Sequence, residues 1–400
     1  MGSIVTLGLG HLEVDWGKNA FYRNHSKLFL ASDKKPIPHS YYDPESDGVI
    51  QELKLGLARP LHSVKRRLEL LGYTMATAQR RFEEAVADMP EYYDPPKVNF
   101  DMFAKLLATV DVRNVALDPF CADHSFGDFA ARSILRDPEF IKAAPHLESL
   151  TRYDGEFFEN LDPYIILRLL AENPANFDLE VQWRYADLVD GGWAEEQSIF
   201  ENLSAADRWL VVTEGSSDGG IIRKSIEFLR PDIADFFNFV DMSDNYPFSG
   251  TGNLFRFCQG LAQIKIQNKV LVIFDNDAAG LEAQRKVARL SLPPSMKVVR
   301  LPDLPECRRF PTIGPNGQAE QDINGCAVSI ELFLDLRAEE PPHVRWTSYN
   351  SSIGSYQGEL VAKESHTKRF MEARALGANY DTSKLEVLLN HIYDALTKDS

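Results

Sequence analysis

Long apolar runs are missing from this chain of 400 residues: Lys269 to Phe274 and Trp209 to Thr213 are typical of its longest, far short of the roughly 20 residues a bilayer span needs. Charge interrupts the first 30 residues throughout, so neither a membrane anchor nor a leader is expected. The chain reads as soluble and cytoplasmic. Cysteine is scarce, and Cys121, Cys258, Cys307 and Cys326 form no Cys-x-x-Cys pair. That spacing excludes a disulfide framework and a zinc knuckle, leaving the thiols as buried apolar fillers. Basic charge is in deficit, with 43 Lys plus Arg against 59 Asp plus Glu and a net charge of -16. A diffuse grip on phosphates, as in basic-arm proteins, is therefore excluded. An acidic total still suits a metal-dependent nucleic-acid enzyme, because a cation held by carboxylates supplies positive charge where the phosphate sits.

Repeats and low-complexity tracts are also absent, which removes solenoids and propellers. What is present, 44% hydrophobic residues over this length, can bury two or three cores. Residues 1–95 read as a small mixed α/β module. Short strands are cut by Gly8, Gly10 and Gly17, and a helical stretch runs from Gln51 to about Val86, with Leu53, Leu57, Leu61, Val64, Leu68 and Leu71 on one face. Met89 to Pro96, with three prolines, reads as a linker. Residues 96–205 read as mainly helical, with Phe103, Leu106, Leu107 and Val110 on one face and Trp183, Tyr185 and Trp193 serving the core.

From Trp209 the pattern becomes alternating strands and helices, as for a parallel sheet covered by helices. Strands are expected at Leu210–Thr213, Asp235–Val240, Lys269–Phe274 and Met296–Leu301. Helices are expected at Gly220–Leu229, Asn253–Ile264 and Gly280–Leu290. Leu304 to Asn324 reads as loop, Ala327 to Leu336 as a short packed helix, and the tail from Pro341 as short polar segments before a helix at Ser383–Thr397. The expected divisions are thus 1–95, 96–205, 206–337 and a helical or irregular extension at 338–400.

Functional side chains collect at the carboxyl ends of strands in such a sheet. Two acidic clusters fall there: Glu214-Gly-Ser-Ser-Asp218 after Leu-Val-Val-Thr, and Asp275-Asn-Asp277-Ala-Ala-Gly280 after Val-Leu-Val-Ile-Phe. Either alone is a turn or a helix cap. Together, four carboxylates at two strand ends would repel one another and raise their pKa values unless a cation compensates. Magnesium, with its oxygen ligands, answers that need, and manganese is an alternative. Arg300, closing the fourth strand, is a candidate for stabilising a leaving oxygen, with Lys224 and Arg256 behind it. Asp322 reads as a turn former.

The order Leu-Val-Val-Thr-Glu214-Gly-x-x-Asp218, with Val-Ile-Phe-Asp275-x-Asp277-x-x-Gly280 beginning its acids 61 residues after the glutamate, resembles the Toprim fold of topoisomerases, bacterial primases, ribosomal RNA maturases and nucleases related to the overcoming-lysogenization-defect family. The whole chain resembles the HEPN/Toprim-associated proteins of prokaryotic conflict systems. The resemblance implies Glu214 as metal ligand or general acid/base, Asp275 and Asp277 as metal ligands, and Asp218 as the extra acid of the nuclease-like branch. Glu331 in Ser-Ile-Glu-Leu-Phe looks like that branch's further acid, and reads equally as an exposed glutamate on an amphipathic helix. In the loop Ser249-Gly250-Thr251-Gly252-Asn253, Gly250 and Gly252 could cradle a phosphate. The implied function is a magnesium-dependent nuclease cutting RNA, such as transfer RNA, or DNA, as an effector of antiphage defence. The alternative is a non-catalytic Toprim-like subunit that binds a nucleotide or partner. Nucleic acid is the expected partner, with room for a regulatory or sensor protein of a defence operon and for homo-oligomerisation, and no membrane.

Other readings fit less well. A bacterial primase would carry a zinc module, which the scattered cysteines deny, and a phosphoaspartate phosphatase has no use for Glu214-Gly. A HEPN ribonuclease would want Arg, four to six residues, then His; Arg59 to His62 is too short and Arg132 to His146 too long.

Overall fold

A computed structural model describes residues 2–43, 45–88, 99–115, 124–134, 138, 142, 157–240, 250–337, 341–374, 376 and 380–398. The linker expected at Met89–Pro96, together with Cys121, His146 and Ser249, lies outside them. The chain forms two compact units, residues 1–202 with 399–400 and residues 203–398. Among the described residues no helix is long and apolar enough to cross a membrane.

The first unit is built on one sheet of β1 (Ile4–Leu9), β2 (Leu12–Lys18), β3 (Lys34–Asp43), β4 (Gly48–Pro60), β5 (His124–Ser125) and β6 (Glu180–Arg184), in the order β3-β4-β6-β1-β2-β5. β6 lies between β4 and β1, with Trp183 opposite both Leu57 and Leu7. The boundary expected at 95/96 therefore runs through a single sheet. Helices α1 (Leu61–Leu70), α2 (Met75–Ala87), α3 (Phe100–Leu107) and α4 (Pro163–Leu170) share its core with Leu7, Leu57 and the fully buried Trp183. α4 is buried on every side, and its one charge, Arg168, pairs with Glu69 at 2.8 Å. Trp193, expected in the core, is half exposed.

The helix expected from Gln51 is corrected: residues up to Pro60 are strand β4. Leu53, Leu55 and Leu57 satisfy a period of two as well as Leu53 and Leu57 satisfy one of four, and Gly56 and Pro60 disfavour helix. Leu53 is 73% exposed. On the same face of the β3–β4 hairpin lie Pro36, Pro38, Tyr42, Val49 and Leu55, all exposed, and β3 is the edge strand among the described residues.

The second unit is α/β. Its parallel sheet has the order β11-β9-β7-β8, from β7 (Trp209–Thr213), β8 (Phe237–Phe239), β9 (Val270–Phe274) and β11 (Met296–Arg300). This is the Toprim-like architecture expected. Helices α5 (Ser216–Leu229), α6 (Thr251–Gln263) and α7 (Ala278–Val287) connect the strands. β9 is buried at all five positions, as a central strand covered on both faces must be. The two-residue β10 (Asn276–Asp277) pairs with β14 (Ala327–Val328).

Three stretches differ from expectation. Leu304–Asn324 holds a hairpin of β12 (Phe310–Gly314) and β13 (Gly317–Gln321), and the tail holds β15 (Val344–Asn350) and β16 (Ser355–Leu360), joined in one sheet of order β13-β12-β15-β16. β13 is exposed throughout, so no alternation of apolar residues marks it. Ala327–Leu336 is strand β14 followed by a 3-10 turn at Ile330–Phe333 rather than a helix. Helices α8 (Lys363–Glu372) and α9 (Ser383–Thr397) complete the unit, the latter where it was expected.

Candidate functional site

β7 and β9 are parallel neighbours, with Thr213 opposite Ile273, so the residues after each emerge side by side. Glu214 accepts a hydrogen bond from the Asp275 amide through Oε1 at 3.1 Å and from the Thr251 hydroxyl through Oε2 at 2.6 Å. Its backbone carbonyl accepts from the Gly250 N–H at 3.1 Å. Asp218 sits in the first turn of α5, its carboxylate accepting from the Gly215 N–H at 2.9 Å and the Ser217 hydroxyl at 3.1 Å, which satisfies amides a helix start leaves open.

Asp277 caps α7: its Oδ1 accepts from the Gly280 N–H at 2.7 Å, and its Oδ2 from the side-chain amide of Gln357. Gln357 also accepts from the Ala279 N–H at 3.1 Å, so β16 clamps the turn that carries the aspartates. Gly280 is required by space, because a Cβ there would lie 2.1 Å from the Asp275 carbonyl oxygen. Gly280→Ala should force the turn apart and cost about 1–3 kcal/mol, read as a lower melting temperature of the second unit. An unchanged transition would contradict this close approach.

Burial and crowding load the acids with protons. Desolvation first, then the charge of Asp277 and Asp218, raises Glu214 to about 7 against the hydrogen bonds it accepts. Desolvation and the charge of Glu331 raise Asp218 to about 6. Asp275 is pushed well above the carboxylate range by desolvation, then by Asp218, Glu214, Asp277 and Glu331. The cation that acts on Asp218 is Lys363, whose ammonium is already paired with Glu359 at 2.6 Å. Glu331, read equally as an exposed helix residue, is buried in the 3-10 turn, with Oε2 accepting from the Ser329 hydroxyl at 2.6 Å. All five acids thus share one electrostatic neighbourhood.

Their side chains do not converge into a ready ligand set: among the described residues no three carboxylate, imidazole or thiolate groups are drawn that close together. Glu214, Asp218, Asp277 and Glu331 instead turn to local donors. The donor set fits a hard divalent cation in charge and chemistry, being all oxygen and under mutual repulsion.

The other expected residues fall unevenly around the acids. Arg300 pairs in register with Phe274, one residue before Asp275, and its guanidinium lies beside Gly325, 3.7 Å from where a Cβ would be. It makes no ion pair with the acids among the described residues. Gly250 spends its N–H on Glu214, while Gly252 lies in open space in the first turn of α6. Lys224 is committed to the Met371 and Ala373 carbonyls, both at 2.6 Å, and Arg256 is exposed on α6. Asp322 makes the expected turn, accepting from the Asn324 N–H at 3.0 Å. Of the thiols, Cys258 and Cys307 are buried and Cys326 half-buried.

Sequence reasoning missed Thr251, Gln357 and Asn276. Asn276 is fully buried, donating to Asp303 at 2.8 Å and accepting from the Gly325 N–H at 2.9 Å, which holds the middle of the Asp-x-Asp turn rigid. A polar residue between the two aspartates was a usable signal. Nothing in the sequence ties Gln357 to residues 80 positions earlier.

A family profile described as HEPN/Toprim N-terminal domain 1 matches residues 1–207. No curated protein matches the chain, and no solved structure matches it. The profile lies on the half of the chain to which the motifs above assign no chemistry, and it bears out the HEPN/Toprim resemblance at the level of the family. With more than half of its length so matched, the chain belongs to the HEPN/Toprim N-terminal domain 1 family.

Proposed function

We propose that the second unit is a metal-dependent nuclease, with Glu214, Asp218, Asp275, Asp277 and Glu331 as the acids that take up magnesium or manganese. The observation that carries this reading is the crowding of four carboxylates at two strand ends, with Glu331 of the 3-10 turn acting on them, and their charge unbalanced. A bound divalent cation supplies an activated water and neutralises the charge that grows on a leaving oxygen. The chain's own part is to hold the acids: Gln357 and Gly280 fix Asp277, and Thr251 and the Asp275 amide orient Glu214. Glu214, raised to about 7, is suited to move a proton near neutral pH. Arg300, beside Gly325, and the open first turn of α6 at Gly252 are the groups available to a phosphate. Membership of the HEPN/Toprim family supports a role as an effector of antiphage defence, acting on RNA such as transfer RNA, or on DNA.

The hydrogen-bonded state of Glu214, Asp218, Asp277 and Glu331 favours a second reading, a non-catalytic module that binds a nucleotide or a partner protein. The test is incubation of the purified protein with mixed RNA and DNA in magnesium, manganese or chelator, beside Glu214→Ala. Cleavage by the parent protein that needs the metal and is lost in the variant supports the nuclease. Metal binding without turnover of any nucleic acid supports the second reading.

A further inference from the structure

We propose that the ring patch of Trp346, Tyr349 and Tyr356 at the turn end of the β15–β16 hairpin is a stacking platform for unpaired bases, so that the nucleic acid handled by the second unit is single-stranded where it crosses this hairpin. The inference rests on the nuclease reading and names its substrate class. Three rings make the surface. Trp346 faces Gly358 across the β15–β16 ladder and lies beside Gly314 of β12. A Cβ at Gly314 would come within 3.0 Å of the indole Cδ1, and one at Gly358 within 2.9 Å of its Cε3. Both in-register neighbours thus lack the atom that would lift the ring, and the indole lies down over three strands. Its Nε1 donates to Gln321 at 2.8 Å, which fixes the ring in its own plane.

Tyr356 follows, its centroid 6.3 Å from Trp346, and Tyr349 stands edge-on to it at 5.1 Å. The two tyrosines are 57% and 53% exposed at Tyr349 and Tyr356 respectively. Cross-strand pairing stabilises a hairpin and accounts for Tyr349 opposite Tyr356, but it does not account for an indole extending the patch at a tilt of 51° to Tyr356.

The occupant follows from charge and continuity. A chain of net charge -16 gains little from general attraction to phosphates, whereas stacking on π-faces is independent of net charge and tolerant of sequence. The platform is also tied to the acids: Gln357, between Tyr356 and Gly358, binds Asp277, and Asn350 donates to Glu282 of α7 at 2.9 Å. Among the described residues β16 is the last strand of its sheet, and its Gly358 N–H donates to the Cys326 carbonyl at 3.1 Å. A polynucleotide lying on the rings is thereby one strand away from the residue that holds Asp277.

The experiment titrates the full-length protein with a short oligoadenylate and with a duplex of equal length, in chelator so that nothing is cleaved. The single strand is expected to bind more tightly than the duplex and to quench a tryptophan signal that Trp346→Phe removes. Tyr349→Ala with Tyr356→Ala should weaken it about tenfold or more, while Tyr349→Phe with Tyr356→Phe binds as the parent does. Binding of the single strand by the alanine pair as tight as by the parent, or a preference for duplex, overturns the platform. Failure of the nuclease reading looks different: no cleavage with any metal, whatever the tyrosines do.

Discussion

Asp275→Asn combined with Asp277→Asn is expected to lower metal-dependent cleavage by roughly a thousandfold or more, since a catalytic cation supplies several kcal/mol of charge stabilisation and about 1.4 kcal/mol is tenfold in rate. The pair is chosen because asparagine keeps the shape of the turn. At 277 it can still accept from the Gly280 N–H, as Asp277 does at 2.7 Å, and asparagine caps a helix about as well as aspartate. The fold should therefore survive, which circular dichroism of the variant checks. Calorimetric titration with manganese separates the causes: the parent protein binds and the variant does not. Cleavage within tenfold of the parent would remove these two acids from the chemistry.

The second large effect concerns stability without metal. Glu214 holds its proton up to about 7 in the folded chain, whereas the unfolded chain releases it near the ordinary 4.5. Over that interval the folded state binds more protons, so stability falls as pH rises through it and stays low above. The shift corresponds to at most on the order of 3 kcal/mol, and Asp275 and Asp218 act in the same direction. In chelator at about pH 8, Asp275→Asn or Glu214→Gln should therefore melt later than the parent, by roughly 5–10 °C for a unit of this size. The gain should shrink as pH falls and vanish below about pH 3, where folded and unfolded states alike are protonated. Magnesium should raise the parent's transition at pH 8 and leave that of Asp275→Asn unmoved. A lower transition in the neutralised variants at pH 8 would mean that the acids are structural caps and not a store of repulsion.

The acids were legible because their signals are local and of two kinds at once. Val-Leu-Val-Ile-Phe and Leu-Val-Val-Thr are apolar runs ended by Asp275 and by Glu214-Gly215, and the acids come directly after them, where a parallel sheet puts its loops. Glu331 was found by resemblance, while its burial was not visible, since an amphipathic helix and a 3-10 turn share the same few residues. Gln357 and Thr251 were out of reach for a different reason. They matter through contacts made across 80 and 37 positions, and polar residues in short segments carry no periodicity to say which way they face. The β4 misreading shows the converse: evenly spaced leucines are ambiguous between helix and strand until a partner such as β3 settles the register.

Among the described residues the β3–β4 hairpin leaves leucines and a tyrosine exposed beside a strand edge that no other strand pairs, the arrangement from which cross-β growth ordinarily starts. Pro36 and Pro38 sit at alternate positions of that edge strand and have no N–H to offer an incoming chain. The ladder cannot be extended there. The apolar surface is thereby kept for face-to-face contact, and fibril templating along the edge is interrupted at two successive rungs.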